Sequence, residues 1–410
     1  MMEATFKPVS AIKKERLLLF TLAAIQFTHI MDFMIMMPLG PQLMRLFHIT
    51  PQQFGFLVAS YTFSAGIFGF FGAFIIDKFD RKTALIVAYI GFILGTLACA
   101  VSPSYHFLMT ARILTGAFGG FLGSLILSIV GDSIPEERRA SAMGVVMTAF
   151  AIASVFGVPF GLYMANQFSW HAPFYFLVLT GVIITILIGL FIPSMTQHIQ
   201  AKGVKRGPFE VITNIIRDNN QLRGILLMVL LILGQFTIIP FLSPYMVSNV
   251  GFTESQLPYI YLLGGMFSIF TLPLIGKLAD KHGKPRVFII FIIISLIPLF
   301  LITNMPKLAI PLVLIVTTTF FICMGGRIIP ATAMVTSIVK PQNRGGFMSI
   351  NSSIQQFASG FASFISGAII TKSSTGELLN YQYVGYIAIA CSLTCILLAK
   401  KIKVVDSVIS

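Results

Sequence analysis

Charge is scarce in this chain, and acid is scarcer still: 10% of the 410 residues are Asp, Glu, Lys or Arg, with 14 acids against 28 Lys and Arg. With 56% of the residues hydrophobic, Phe alone contributing 39, there is too little polar surface to clothe a water-soluble domain. The four cysteines, Cys99, Cys323, Cys391 and Cys395, lie in apolar stretches without the paired spacing of a metal site, so they read as packing residues. No GxxxxGK[ST] loop is present, so energy is expected from a gradient rather than from ATP. The apolar stretches hold neither paired carboxylates nor a His/Asp/Cys constellation, which argues against an enzyme and against a bound metal or other cofactor. A sensor is expected to append a soluble domain, and the polar termini are too short to be one.

What the chain has in abundance is hydrophobic length. Twelve apolar spans run over about 17–40, 54–76, 83–102, 106–131, 140–165 and 173–193, then 222–247, 256–278, 286–304, 308–338, 346–371 and 381–399. Each is long enough to cross a hydrocarbon core of ~30 Å as a helix. The expected fold class is all-α: a polytopic membrane protein of twelve transmembrane helices. A polar stretch, 194–221, with Gly203, Gly207 and Pro208, divides the spans six and six, so bundles are expected at 1–193 and 222–410 with a cytoplasmic linker between them. In that linker Phe209, Ile212 and Ile216 recur at helical spacing beside Arg217 and Asp218; a short interfacial helix and a solvated loop both fit. The first span ends in Met36-Met37-Pro38-Leu39-Gly40 without a small-x-small cleavage site and reads as a retained helix.

The net charge of +14 raises the question of nucleic acid, and the placement of the basic residues answers it. With the N-terminus cytoplasmic, 23 of the 28 Lys and Arg fall on the cytoplasmic side, Arg45, Lys307 and Lys372 on the opposite side, and Arg112 and Arg327 inside spans. This positive-inside bias puts both termini in the cytoplasm and leaves no need for a nucleic-acid partner. Lys202, Lys205 and Arg206 read as a lipid-facing loop of the same kind.

The two halves repeat a loop after their second span. The second copy is Gly276-Lys277-Leu278-Ala279-Asp280-Lys281-His282-Gly283-Lys284-Pro285-Arg286, and the first is Ala73-Phe74-Ile75-Ile76-Asp77-Lys78-Phe79-Asp80-Arg81-Lys82. Asp77 and Asp280 are 203 residues apart, and Pro135-Glu136-Glu137-Arg138 and Pro341-Gln342-Asn343-Arg344 are 206 apart. Related halves are expected of secondary transporters. The loop resembles the GxxxDRxGRK signature of the major facilitator superfamily, with Ala73 and Asp80 standing where the first copy would have glycine. Arg112-Ile113-Leu114-Thr115-Gly116-Ala117-Phe118-Gly119-Gly120 is similar to the RxxxGxxGG segment of the twelve-helix drug:proton antiporter branch, which includes sugar and nucleoside efflux members. Gly157-Val158-Pro159-Phe160-Gly161 resembles its GVPLG motif in the fifth span, and Trp170-His171-Ala172-Pro173-Phe174 stands where WRxxF is common. The resemblance implies the major facilitator fold of two pseudo-symmetric six-helix bundles, with the loop residues Asp77, Lys78, Arg81, Lys82, Gly276, Asp280, Lys281, Gly283 and Arg286 gating the cytoplasmic mouth. Asp77 would close on the start of the eleventh span near Gly345 and Gly346, and Asp280 on the start of the fifth near Arg139; the alternative is that these charges only end helices and fix topology.

Asp32 is the one acid well inside a span, where ionisation is costly enough to mark ion or substrate pathways. Gln26, His29 and Asp32, spaced i, i+3, i+6, are expected to line a polar cavity. Arg112 and Asp32 lie some six and seven residues from the non-cytoplasmic ends of their spans, about 10 Å deep at 1.5 Å per residue, so they can pair. Asp32 is expected to carry a coupling proton modulated by Arg112, or else to hold two helices together as a permanent ion pair; His29 is a relay or a packing histidine. Arg327 is expected either to bind an anionic substrate group or to be satisfied by carbonyls freed near Pro330. In the eleventh span Ser352, Gln355, Gln356 and Ser359 are expected in the substrate cavity, interleaved with Phe357, Phe361 and Phe364, although interhelical bonding explains them as well. The expected protein is a monomeric secondary transporter of a bacterial cytoplasmic membrane, driving efflux of a small amphipathic organic molecule with protons. The alternative is a symporter importing a small nutrient such as a sugar or nucleoside, which differs only in the direction of coupling.

Overall fold

The computed structural model describes residues 9–196, 208–339 and 344–403. In lipid a backbone finds no water, so each apolar span closes its own hydrogen bonds as a helix. Those of the first half are α1 (Val9–Ile35), α2 (Pro51–Ile75), α3 (Arg81–Ala100), α4 (Tyr105–Ser133), α5 (Glu136–Ile152, a π-helical turn Ala153–Gly157, then Val158–Gln167) and α6 (Ala172–Phe191). Those of the second are α7 (Asn219–Phe236, Ile239–Tyr245 and a π-helical turn Met246–Val250), α8 (Leu257–His282), α9 (Lys284–Thr303), α10 (Ile310–Ser337), α11 (Arg344–Ile369) and α12 (Tyr381–Ala399). α7 breaks where Pro240 and Pro244 remove backbone donors. Eleven of the twelve are apolar enough to cross a membrane by composition. The exception is α11, whose first half carries Asn351, Ser352, Ser353, Gln355 and Gln356. A two-residue antiparallel ladder, Thr371–Lys372 against Leu378–Leu379, joins α11 to α12 and is the one departure from an all-helical chain among the described residues.

Helix ends are set by side chains that satisfy the free N–H groups. Thr50 and Gln53 form a capping box at α2, Ser104 caps α4, Asp80 caps α3 and Asp218 caps α7. Between α8 and α9 the chain turns at Gly283 with φ +91°, a conformation an L side chain rarely adopts.

The halves pack by one rule. α1 packs on α5 and α6, α2 on α4, and α3 on α4 and α6; the partners shifted by six, α7 on α11 and α12, α8 on α10, and α9 on α10 and α12, pack likewise. Across the halves α2 meets α11, and α8 meets the Ala153–Gly157 and Val158–Gln167 parts of α5. Between the halves a helix at Pro208–Arg217 packs on α7 and α11. Gly203, Gly207, Lys202, Lys205 and Arg206 lie outside the described residues.

On the side away from the chain ends the halves share one apolar cluster, with Leu39, Leu43 and Phe54 from one and Phe241, Leu242 and Tyr245 from the other. The Phe54 and Phe241 rings stand edge to face at 5.6 Å. Above them Arg45 forms a two-pronged ion pair with Glu254, whose backbone carbonyl accepts from Asn166 Nδ2 at 3.1 Å; Asn166 in turn accepts from Gln42 Nε2 at 2.8 Å. That mouth is shut.

Candidate substrate cavity and its buried ion pair

A cavity of about 240 Å³ occupies the other half of the molecule, on the side of the chain ends. Gln26 and His29 of α1, Ala65 and Gly69 of α2, Met143 and Met147 of α5, and Ser349, Ser352, Ser353 and Gln356 of α11 line it. α4 contributes Gly119, Gly120, Gly123, Ser124, Ile126 and Leu127. The glycines of the RxxxGxxGG segment are required by close helix approach. A Cβ at Gly116 would lie 2.3 Å from the Tyr61 carbonyl oxygen, and one at Gly120 2.4 Å from that of Ala65. α2 and α4 therefore touch backbone to backbone, as small residues allow.

Behind the cavity wall Asp32 and Arg112 form an ion pair with neither side chain more than 1% exposed. Arg112 Nη1 donates to Asp32 Oδ2 at 2.6 Å and to the Asp32 carbonyl at 3.3 Å, and Thr96 Oγ1 donates to Asp32 Oδ1 at 3.2 Å. The guanidinium lies 4.3 Å from the centre of the Tyr61 ring, a cation–π contact in a dry setting. The expectation that Asp32 shares the cavity face with Gln26 and His29 is corrected: Gln26 and His29 line the cavity, while Asp32 turns toward α3 and α4. Each i+3 step falls about 60° short of a full turn, so two steps carry Asp32 about 120° around the helix from Gln26. His29 is the joint between the two regions. It lines the cavity, its two ring nitrogens have no hydrogen-bond partner among the described residues, and its ring lies 6.4 Å from that of Tyr61, whose hydroxyl is likewise without a partner among them.

Several other expectations are redirected. Ser352 and Gln356 line the cavity; Gln355 and Ser359 do not, and Ser349, Ser353 and Ser124 do. Phe357 and Phe361 pack on Phe63, and Phe364 on Phe56, so these rings join α11 to α2 rather than face a substrate. Arg327 also stands away from the cavity, with Nη1 donating to Ser295 Oγ of α9 and Ser392 Oγ of α12 at 3.3 and 3.0 Å. Both hydroxyls pass the bond on to helix carbonyls, of Ile292 and Ala388, so among the described residues the charge is spread over two backbones without an acid and without the carbonyls near Pro330. Gly157 and Gly161 of α5 face α1, a Cβ at either meeting Met31 or Ile35 within 3.2 Å, and Pro159 is buried between them.

Of the gate residues, the Asp77 side chain and Gly345 lie outside the described set. Arg81 is buried against Asp132 at 3.0 Å, and Lys82 Nζ donates to the Gly189 carbonyl at 2.7 Å. Lys78 ends a 3-10 turn. Asp80, in the glycine position of the motif, accepts from Met195 N, Ser194 Oγ, Thr83 N and Thr83 Oγ1, tying the loop to the end of α6. Partial burial works against its charge, but these bonds outweigh that and hold the carboxyl below its usual range. In the second copy Asp280, Lys281 and Arg286 are exposed, and Arg139 donates to the Ile134 carbonyl rather than pairing with Asp280. Sequence reading missed Thr96 and Tyr61, since neither a threonine nor a tyrosine in an apolar run announces a polar role.

The sequence matches the Major Facilitator Superfamily model over residues 22–234 and 224–407. The uncharacterized MFS-type transporter YceJ of Bacillus subtilis (strain 168) is 22% identical over 369 residues, covering 89% of this chain and 90% of YceJ. YtbD of the same organism, also an uncharacterized MFS-type transporter, is 29% identical over 252 residues, which are 61% of this chain and span 60% of YtbD's length. Among solved structures, a bacterial homologue of the human lysosomal transporter Spinster, inward-facing and unoccupied, superposes with a TM-score of 0.75 at 15% identity over 95% of this chain and 98% of that one. A point mutant of the nucleoside transporter NupG gives 0.75 at 12% identity, over 95% and 99%. The chain belongs to the Major Facilitator Superfamily: it is a multi-pass membrane transporter that works by alternating access between two six-helix halves, and it is not an enzyme.

Proposed function

We propose that the chain is a proton-driven exporter of small amphipathic organic molecules, working as a monomer in the lipid bilayer of a bacterial cytoplasmic membrane with both termini in the cytoplasm. One observation carries this reading: a fully buried acid, Asp32, is held by a single base, Arg112, one helical turn from a cavity-facing His29. A carboxylate so placed has two states. Ionised, it keeps its charge-assisted bond to Arg112; protonated, it gives up that bond, and α1 and α4 lose their electrostatic tie. With the termini inside, the present conformation faces inward, and the cavity takes its substrate from the cytoplasm. Opening to the outside exposes the pair to the proton source as substrate leaves, and return inward delivers the proton, so the gradient alone supplies the energy and no cofactor takes part. His29, whose ring nitrogens have no hydrogen-bond partner among the described residues, is the group through which the proton reaches the cavity.

Asp32→Asn tests this directly. Resistance to a broad panel of dyes and antibiotics, scored in an efflux-deficient bacterium, is expected to fall to the empty-vector level even after correction for the amount of folded variant in the membrane. In proteoliposomes the variant is expected to retain exchange of substrate without a gradient and to lose uphill movement driven by a pH gradient. Full retention of gradient-driven movement sinks the coupling role. A proton symporter importing a sugar or nucleoside uses the same parts, and the uncharged cavity lining and the shared fold of a nucleoside transporter favour it as the second reading. Proton and substrate fluxes in the same liposomes separate the two, being opposed in an exporter and parallel in a symporter.

A further inference from the structure

We infer that the cavity takes an uncharged, ring-bearing molecule with a hydroxyl- or amide-bearing edge, and that it rejects organic cations and anions. This rests on the reading of the cavity as the substrate site. Among the described residues that line it there is no Asp, Glu, Lys or Arg. Behind the wall Asp32 and Arg112 neutralise each other and are no more than 1% exposed. An ion entering would leave water for a low-dielectric site without a counter-charge, a loss that hydrogen bonds to neutral groups do not repay.

What the walls offer instead is two-sided. On one side Gln26, Ser352 and Gln356 supply amide and hydroxyl groups, each able both to donate and to accept. The His29 ring lines the cavity with nitrogens that are buried and have no hydrogen-bond partner among the described residues, so that a turn of the ring brings them to a ligand. Buried polar atoms left without partners are costly, and a ligand that supplies those partners removes the cost. On the other side Gly123 leaves the wall without a side chain. A Cβ at Gly123 would meet nothing within 4 Å, so a flat molecular face can lie against the α4 backbone there. A polar edge opposite a smooth apolar wall is the imprint of a neutral ring compound.

The test is equilibrium binding to the purified full chain in nanodiscs, without a gradient, using labelled probes that share a ring and differ in charge. Phenyl β-D-glucopyranoside, phenyl β-D-glucuronide and phenyltrimethylammonium form one set; uridine and uridine monophosphate form another. An uncharged member is expected to bind, with its charged counterparts at least about tenfold weaker. Ser352→Ala should weaken the neutral probe several-fold, and Gln356→Glu should raise cation affinity about tenfold or more while weakening the neutral probe. Where Gln356→Glu fails to give monodisperse protein, Gln26→Glu makes the same demand. A charged probe that binds as tightly as its neutral counterpart, failure of every neutral probe to bind, or a folded glutamate variant with unchanged cation affinity overturns the inference. Because no gradient is present, these wild-type affinities are read independently of proton coupling, and loss of charge selectivity leaves gradient-driven movement standing.

Discussion

Asp32 and Arg112 are each costly inside a membrane, and each is tolerable because of the other. Removing one partner of a buried pair strands the other, which costs about 3–5 kcal/mol, whereas replacing both by neutral groups of similar shape costs far less. Arg112→Ala is therefore expected to lower the thermal stability of the detergent-solubilised protein by about that amount. The Asp32→Asn, Arg112→Gln double variant should recover most of the loss, and equal destabilisation in single and double variants would show that the pair contributes nothing beyond packing. Depth alone made this pair legible in the sequence, since both residues lie a similar number of residues from the same membrane face. The rotation of Asp32 away from the cavity was not legible, because i+3 spacing keeps neighbours adjacent but lets a series drift around the helix. Arg327 escaped for a related reason: its acceptors, Ser295 and Ser392, stand on helices far away in sequence, and serines are common in any transmembrane span.

At the scale of elements, glycine marks where two helices touch, but not every motif glycine does so in this conformation. Gly116 of α4 presses on the α2 backbone, so Gly116→Ala must move one helix and is expected to cost about 1–3 kcal/mol. Gly276 near the end of α8 has nothing within 4 Å of its Cβ position, and Ala there should stabilise the helix by about 0.5–1 kcal/mol. Thermal unfolding of the two variants should shift in opposite directions. A transport defect in a well-folded Gly276→Ala protein would then report a close approach made only when the cavity side shuts. The two copies of the loop also reach their turns differently. Gly283 uses a positive φ that glycine supplies, whereas Asp80 sits at φ −55° and turns the chain as a helix cap that also grips Ser194 and Met195. The sequence shows the substitution; only the neighbouring end of α6 shows what the aspartate holds.

For the whole molecule, the balance between the two mouths rests on contacts between halves. The shut mouth combines the apolar cluster around Phe54 and Phe241 with the Arg45–Glu254 pair, a chemistry of modest weight at an exposed position. Glu254→Gln removes the charge while keeping the shape. It is expected to shift the population toward opening of this mouth by a few-fold, read in purified protein as faster labelling of a cysteine placed at Leu43 by a maleimide. An unchanged labelling rate would assign closure to the apolar cluster alone. The sequence by itself determined the number of helices and the repeat relation of the two halves, carried by the loops at Asp77 and Asp280. A lipid-immersed backbone must bond to itself, and apolar length sets how often it crosses. Which way each helix is turned about its axis, and hence that Asp32 stands behind a neutral cavity and Arg327 outside it, only the tertiary structure decided. Rotation is set by the fit of neighbours distant in the chain, Thr96 and Arg112 on one side and Ser295 and Ser392 on the other, and no local pattern records that fit.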